Sequence, residues 1–341
     1  MSEPQRSRER SREKSTESRT KNGPSDVLRL ALPSKGMEDD TVAFLANCGL
    51  RIDRSNPRQY RATIPSLDGV EVTFQRAGDI YDKVHEGSVD LGITGYDIVA
   101  EDEREDDRVL VLLRELGYGR CALALAVPES WIDVANVHDL AEVAAERHAE
   151  ALQFRVATKY ANLTRQFLYD HGVSYFSIVP SEGALEAAPA LGYAELIADL
   201  TSSGVTLREN RLKAVGGGTI LPSEACLIAN RVEIGKSPAK LEKTRRMLEA
   251  MEAYLRARSF MSLTANVHGD SVESVARQVT AHSEVSGMRG PTIARVYPKP
   301  PHDDEDWFAV TVIVARDRLQ EAVDALRHAG ATDMTAQQLA Y

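Results

Sequence analysis

Apolar runs of four to eight residues alternate with amphipathic stretches along most of the chain, and that alternation predicts the elements. Val27-Leu28-Arg29-Leu30-Ala31-Leu32 reads as a buried strand. After Pro33-Ser34-Lys35-Gly36 comes a helix with Val42, Leu45 and Cys48 inward and Gly49 as its stop. Gly69 to Arg76 predicts a second strand and Asp79 to His85 a short helix. Leu91 to Ile93 predicts a strand that ends in a glycine-bearing loop and enters a helix with Asp97 near its start. The charge run Glu101 to Arg108 reads as a solvated surface. Cys121 to Val127 is an apolar strand that carries the chain to a second lobe, where Val137 to His148 forms an Ala-rich helix. Phe154 to Thr158, the Lys159-Tyr160 turn and a helix from Asn162 to His171 closed by Gly172 repeat the order of residues 27–49. Tyr175 to Val179 predicts a strand, Glu182-Gly183-Ala184-Leu185-Glu186 the opening of a helix, and Ala194 to Leu200 a further strand. Ala225 to Asn230 predicts the strand that returns to the first lobe. Strands alternating with helices twice over imply a parallel α/β architecture of two lobes, with the glycine-bearing turns facing a cleft.

The rhythm then changes. Ser237-Pro238 opens a long connector helix running to Arg258, with Leu241, Leu248, Met251 and Leu255 on one face. Beyond it, Phe260 to Val267 predicts a strand and Ser271 to His282 a helix with Val272, Val275 and Val279 inward. Thr292 to Tyr297 and Trp307 to Val314 predict strands, separated by an acidic, proline-rich loop over 298–306. Asp317 and Gln320 have the spacing of a capping box for a helix ending at Gly330, and Thr335 to Leu339 completes a βαββαβ, ferredoxin-like module. The expected organisation is a tail over 1–25, a first lobe over 26–125 and 215–258, a second lobe over 126–214, and a C-terminal module over 259–341.

Composition narrows the classes. At 341 residues the chain exceeds one compact core. A formal net charge of -10 and a pI near 5.4 argue against a general nucleic-acid binder. A polyphosphate ligand stays open, because a few local cations and a divalent metal neutralise one. Cys48, Cys121 and Cys226 lie far apart in apolar segments, as small buried hydrophobes in a reducing compartment do. No apolar run reaches the roughly 18 residues of a membrane helix, and the N-terminus lacks a signal peptide's apolar core. A cytoplasmic protein with no membrane partner is the expectation. Residues 1–25, rich in Arg, Ser, Glu and Lys, cannot bury enough surface to order themselves and predict a disordered tail. His302-Asp303-Asp304 has no second cluster to complete a metal site, so it reads as a solvated loop.

The candidate chemistry centres on Asp199-Leu200-Thr201-Ser202-Ser203-Gly204-Val205-Thr206-Leu207. A strand running into such a turn aims several backbone N–H groups at one spot ringed by short hydroxyls, which is how a phosphate is cradled. An ordinary strand-to-loop turn has the same residue types. The Lys35-Gly36 turn has the same two readings, anion site or solvated lysine. Gly95 permits close approach of a ligand to backbone at a strand's carboxyl end, or serves a tight turn. Asp97 fits a ligand contact or an N-cap.

Five segments in this order resemble the long form of ATP phosphoribosyltransferase, the first enzyme of histidine biosynthesis. They are Leu32 to Gly36, Asp90 to Asp97, Ala157 to Tyr160, Glu182 to Glu186 and Ala198 to Leu207. The resemblance covers residue 27 to the end. It implies a two-lobed, periplasmic-binding-protein-like catalytic part with a ferredoxin-like regulatory domain. The implied reaction transfers phosphoribosyl from phosphoribosyl pyrophosphate to N1 of ATP's adenine, with pyrophosphate leaving and Mg²⁺ required. In that reaction the leaving group is already activated, so positioning and electrostatics suffice without a protein nucleophile. The resemblance gives Ser202, Ser203, Gly204, Val205 and Thr206 the 5-phosphate, Asp199 the ribose hydroxyls, and Lys35 the pyrophosphate. Gly95 and Asp97 would lie near ATP, Thr158 and Lys159 would approach from the second lobe, and Glu182 and Gly183 would also bind substrate. Mg²⁺ would ride on substrate oxygens, so no dedicated ligands are expected. Thr292 and Ile313 would line a pocket for histidine as inhibitor. The implied assembly is a hexamer built from dimers. Met37 departs from the family's Lys-Gly-Arg turn, and the 298–306 loop departs in length. The rival readings are a two-lobed small-molecule binding protein and a catalytically inactive regulatory relative.

Overall fold

A computed structural model describes residues 26–56, 58–104, 106–181, 183–285, 290–297 and 306–339. The tail at 1–25, Glu182 and most of the acidic loop at 298–306 lie outside the described residues. The first lobe opens with β1 (Leu28–Pro33), α1 (Glu38–Asn47), β2 (Arg61–Thr63), β3 (Val70–Gln75), α2 (Ala77–His85), β4 (Leu91–Gly95), α3 (Tyr96–Glu101) and β5 (Val109–Leu113). The second contains β6 (Cys121–Pro128), α4 (Val137–Ala149), β7 (Arg155–Thr158), α5 (Ala161–Asp170), β8 (Ser177–Pro180), β9 (Leu196–Thr201), α6 (Val205–Glu209) and β10 (Leu212–Ser223). The chain then returns through β11 (Ala225–Asn230), α7 (Arg231–Gly235) and the long α8 (Pro238–Arg258).

The first sheet runs β2-β3-β1-β4-β11-β5 and the second β10-β6-β9-β7-β8. Only the centre of each is parallel: β1 pairs parallel with β3 and β4, and β7 with β8 and β9. β2, β11, β5, β6 and β10 pair antiparallel, so the lobes are mixed where wholly parallel sheets were expected. Apart from β2, the antiparallel members are the strands where the chain crosses between lobes. They show no helical connection in the sequence because the crossovers, 114–120 and Glu224, are too short to hold one. Residues 121–125 and 215–223 therefore sit in the second sheet, and the expected boundaries at 125/126 and 214/215 cut through β6 and β10.

β10 escaped the reading of the pattern because Gly216, Gly217 and Gly218 interrupt its alternation. Its register against β6 shifts there. A Cβ on Gly216 would stand 2.8 Å from the Ala135 carbonyl, so the backbone contact admits glycine alone. The helix expected from Glu182 to Glu186 is a single 3-10 turn at Leu185–Ala187, entered through Ala184 at a φ of 50°.

α8 buries Met251 and packs Leu248 and Leu255 against the first lobe's core as expected, but Leu241 lies off that face. Leu241 is exposed, and Lys240, Thr244, Met247 and Met251 are buried. The reason is an ion pair. The Lys240 ammonium donates to Asp90 at 2.8 Å, and Asp90, fully buried, also accepts from the backbone N–H and guanidinium of Arg29. Burial pushes the Asp90 carboxyl up, but the bonds from Arg29 and Lys240 outweigh it and hold it below the ordinary range. A lysine this deep is found only with a partner.

The C-terminal module is β12 (Phe260–His268), α9 (Val272–Thr280), β13 (Thr292–Val296), β14 (Trp307–Ala315), α10 (Leu319–His328) and β15 (Thr332–Gln338), in sheet order β13-β14-β12-β15. All its pairings are antiparallel, the ferredoxin-like arrangement expected. Val275 and Val279 face the core, but Val272, one residue past the Ser271 cap, is exposed. The expected Asp317–Gln320 capping box is absent. The N-cap of α10 is Arg318 without a side-chain bond, and Gln320 turns its amide to Asp324.

Candidate active site

The carboxyl ends of β4 and β7 meet between the lobes, where Tyr160 donates to Asp97, and the carboxyl edge of parallel strands is where open α/β sheets bind ligands. In the first lobe, Ser34 donates its N–H to the Gln75 carbonyl at 2.7 Å, so the turns after β1 and β3 lie side by side. Gly36 takes a φ of 70°, and Lys35 beside it is exposed. Arg76, the residue after β3, is exposed at the same edge. Among the described residues, neither side chain makes an ion pair or hydrogen bond. Arg76 was legible only as the end of a strand, because its nearness to Lys35 comes from the β1–β3 register. Met37 packs against the first lobe's core and lies over Gly119 in the 114–120 crossover, where an added Cβ would meet its Sδ at 3.0 Å. It supports the crossover where the family pattern has a cation.

In the second lobe, Asp199 lies two residues before the end of β9, half-buried, with Oδ1 accepting from the Leu200 N–H at 2.8 Å. Burial pushes its carboxyl above the usual aspartate range, Glu186 adds to this, and Lys159 opposes it. Past β9, Gly204 adopts a φ of 68° as the N-cap of α6. Its N–H donates to the Thr201 hydroxyl at 3.1 Å, so Thr201, which the resemblance left without a role, closes the turn. Ser202, Ser203, Val205 and Thr206 are exposed around it. Gly183 is exposed, and its carbonyl accepts from the Ser181 hydroxyl at 3.3 Å.

The turn after β7 is built differently. Thr158 is buried and its hydroxyl accepts from the Tyr160 N–H at 2.9 Å, so it shapes the turn from within. Lys159 is exposed, and its charge lowers the carboxyl pKa of both Asp199 in its own lobe and Asp102 in the other. Burial is the larger influence on Asp102 and leaves it raised.

Asp97 is neither an N-cap nor open to a ligand in this state. The N-cap of α3 is Gly95, and Asp97 is 4% exposed. Its Oδ1 accepts from the Ser223 hydroxyl at 2.7 Å and its Oδ2 from the Tyr160 hydroxyl at 2.6 Å. A Cβ on Gly95 would fall 2.4 Å from Asp97 Oδ1, so glycine is needed there to let the carboxylate fold back. Glu101, in the charge run expected to be solvated, also reaches across. Its oxygens accept from the N–H groups of Asn162 and Leu163 at 2.8 and 3.0 Å. At the crossovers, Glu224 accepts from the Gly117 N–H and the Arg120 guanidinium at 2.8 and 2.9 Å. In the C-terminal module, Thr292 pairs opposite Thr311, two residues from Ile313. The alternation therefore sets Thr292 and Ile313 on the sheet face opposite buried Val310, Val312 and Val314.

The two sheets define a two-lobed α/β protein with an appended ferredoxin-like module. Comparison with known proteins makes this specific. The family described as ATP phosphoribosyltransferase matches residues 76–252, and that described as HisG, C-terminal domain matches residues 257–341. The chain is 38% identical over 319 residues to ATP phosphoribosyltransferase 1, chloroplastic, of Arabidopsis thaliana, covering 93% of this chain and 77% of that protein. It is 37% identical over 317 residues to ATP phosphoribosyltransferase of Nitrobacter winogradskyi, covering 92% and 93%. Among solved structures, the ATP phosphoribosyl transferase (HisG:HisZ) complex from Thermotoga maritima superposes with a TM-score of 0.51 at 22% identity, covering 67% of this chain and 100% of that one, a likeness of fold. The chain belongs to the ATP phosphoribosyltransferase family, in its long form with the C-terminal domain, and is a pentosyltransferase of histidine biosynthesis. Among the described residues no helix is long and apolar enough to cross a membrane.

Proposed function

We propose that the chain condenses ATP with phosphoribosyl pyrophosphate in the cleft, giving N1-(5-phosphoribosyl)-ATP and pyrophosphate. The observation that carries this is the β9–α6 turn. Asp199 stands half-buried at its entry, and the exposed hydroxyls of Ser202, Ser203 and Thr206 flank the left-handed Gly204. The Ser202–Thr206 turn would take the 5-phosphate, and Asp199 would accept from the ribose hydroxyls while favouring positive charge that develops at the sugar. Lys35, with Arg76 beside it, would take the pyrophosphate, and Lys159 would meet the substrates from the other side. ATP would enter beside the Gly95 turn. The adenine N1 lone pair forms the new bond as the bond to pyrophosphate breaks, so no protein nucleophile is required.

Among the described residues no three acidic, histidine or cysteine side chains converge as a metal site. Mg²⁺, which keeps waters and binds few protein carboxylates, would arrive on the phosphate oxygens of the substrates, neutralising the leaving group, with Asp199 a carboxylate at hand. We extend the reading to regulation: histidine would bind the C-terminal module near Thr292 and Ile313 and lower the rate. A cytoplasmic homo-oligomer, a hexamer built from dimers, is the proposed setting.

Mixing the protein with ATP, phosphoribosyl pyrophosphate and Mg²⁺, with and without histidine, tests both parts. Pyrophosphate release that histidine suppresses is expected. No release sinks the catalytic reading. A rate indifferent to histidine sinks the regulatory one.

A further inference from the structure

Two carboxylates on α3, Asp97 and Glu101, stand four residues apart and so on one helix face. Both are spent on the other lobe. Asp97 takes the Tyr160 hydroxyl at 2.6 Å and the Ser223 hydroxyl at 2.7 Å, and Ser223 is the last residue of β10 before the crossover. Glu101 takes the second and third N–H groups of α5 at 2.8 and 3.0 Å. Those groups are orphans of a helix start, and the N-cap of α5, Tyr160, has no side chain suited to them. The first lobe thus caps a helix of the second.

Just before the two grips lies one residue of the β7–α5 turn that faces outward, Lys159. Thr158 and Tyr160 on either side are buried, and the Thr158 hydroxyl closes the turn on the Tyr160 N–H. We propose that Asp97 and Glu101 form an interlobe clasp that sets the cleft's width and places Lys159 against Asp199. Asp97, Glu101 and Tyr160 are positioning residues that act through Lys159. The clasp rests on the transferase reading for its role and on geometry alone for its existence.

The arrangement explains several otherwise unrelated choices. Gly95 is glycine because any Cβ would strike the Asp97 carboxylate that reaches across. Asp97 is buried without a cationic partner among the described residues, so its two hydroxyl donors are what make its burial tolerable. Glu101 is held by backbone groups, and burial still pushes its carboxyl above the usual glutamate range. Polar groups buried between lobes are costly to leave unmade, so the clasp is highly sensitive to losing one hydroxyl.

The test places paired spin labels on the full-length protein at Asp39→Cys in α1 and Glu142→Cys in α4, both exposed and outside the clasp. Interlobe distances are compared in the Tyr160→Phe, Asp97→Asn and Glu101→Gln backgrounds. Tyr160→Phe removes one oxygen and keeps the ring, so it guards against simple unfolding. The expected result is a broader, longer distance distribution in all three. Losing a hydrogen bond to a charged group predicts that KM for both substrates rises about tenfold in Tyr160→Phe. Distributions identical to the parent's in Tyr160→Phe and Asp97→Asn overturn the clasp, even if both variants lose activity. The distance readout needs no turnover, so failure of the transferase reading leaves this test standing.

Discussion

The turn after β1 and the turn after β7 look alike in sequence: apolar strand, short polar turn with a lysine, helix, glycine stop. In three dimensions they differ. Ser34 to Met37 is held by backbone hydrogen bonds and glycine geometry, and Lys35 extends from it unpaired among the described residues. The β7–α5 turn is gripped from inside by Thr158 and from the opposite lobe by Asp97 and Glu101. One turn stands free with an exposed lysine, the proposed seat of an anion, and the other is tied to the opposite lobe. The same local pattern acquires a different task according to what the tertiary fold sets against it.

The largest effect should come from removing the acid that Lys159 faces. Asp199→Asn is expected to lower kcat/KM by about 10²–10³-fold, the usual cost of losing one preorganised electrostatic group. Its pH profile is diagnostic. Burial raises the Asp199 pKa, so the acid limb of the parent's kcat/KM lies above the pH at which an ordinary aspartate titrates. The variant should lack that limb. The sign for stability is opposite to that for activity. A carboxyl raised in the folded state favours the fold below its unfolded pKa, and that contribution disappears as pH rises through the folded pKa. Asp199→Asn should therefore melt slightly higher than the parent at neutral pH. A lower Tm there, or an unshifted acid limb in the parent, contradicts this account.

A smaller effect separates the two lysines. Lys35→Met should chiefly raise KM for phosphoribosyl pyrophosphate, and Lys159→Met chiefly lower kcat, each by about 10–100-fold for loss of a charge-assisted contact. Both side chains are exposed, so thermal stability should move by less than about 0.5 kcal/mol. Steady-state kinetics that give the two variants one common signature erase the contrast between the turns. The smallest effect tests construction alone. Thr158→Val leaves the buried Tyr160 N–H without its acceptor and should cost about 1–3 kcal/mol in denaturant unfolding. Ser34, in the first turn, makes no side-chain hydrogen bond among the described residues, so Ser34→Ala should fall within about 0.5 kcal/mol of the parent. Equal losses would show the turns to be built alike after all.

Most core strands were legible because a strand buried on both faces must be apolar throughout. β1, β4 and β11 are such strands. β2 has three residues and one buried side chain, too few for a period. β10 was hidden by its glycines, which the fold needs for close backbone contact with Ala135. In the first turn of α8 the inward residue is Lys240 and not Leu241, and a buried lysine paired with Asp90 looks polar in sequence. In the candidate site, the Lys35 and Ser202–Thr206 turns were picked out as possible anion sites from residue type and spacing, and Asp199 by the resemblance. Arg76, Tyr160, Ser223 and Glu101 were not, since their parts depend on partners 61 to 126 residues away or on strand register.

By itself the sequence determined the local chemistry: which segments bury, where glycine lets the backbone turn, and which turns can meet an anion. Those are properties of a few adjacent residues, set by sterics and hydrophobicity. Tertiary structure alone decided that Asp97 is a joint, that Glu101 caps a helix of the other lobe, and that Met37 supports a crossover. Hydrogen bonds and packing between distant residues exist only once loop closure has brought them together, and no local pattern encodes that partner.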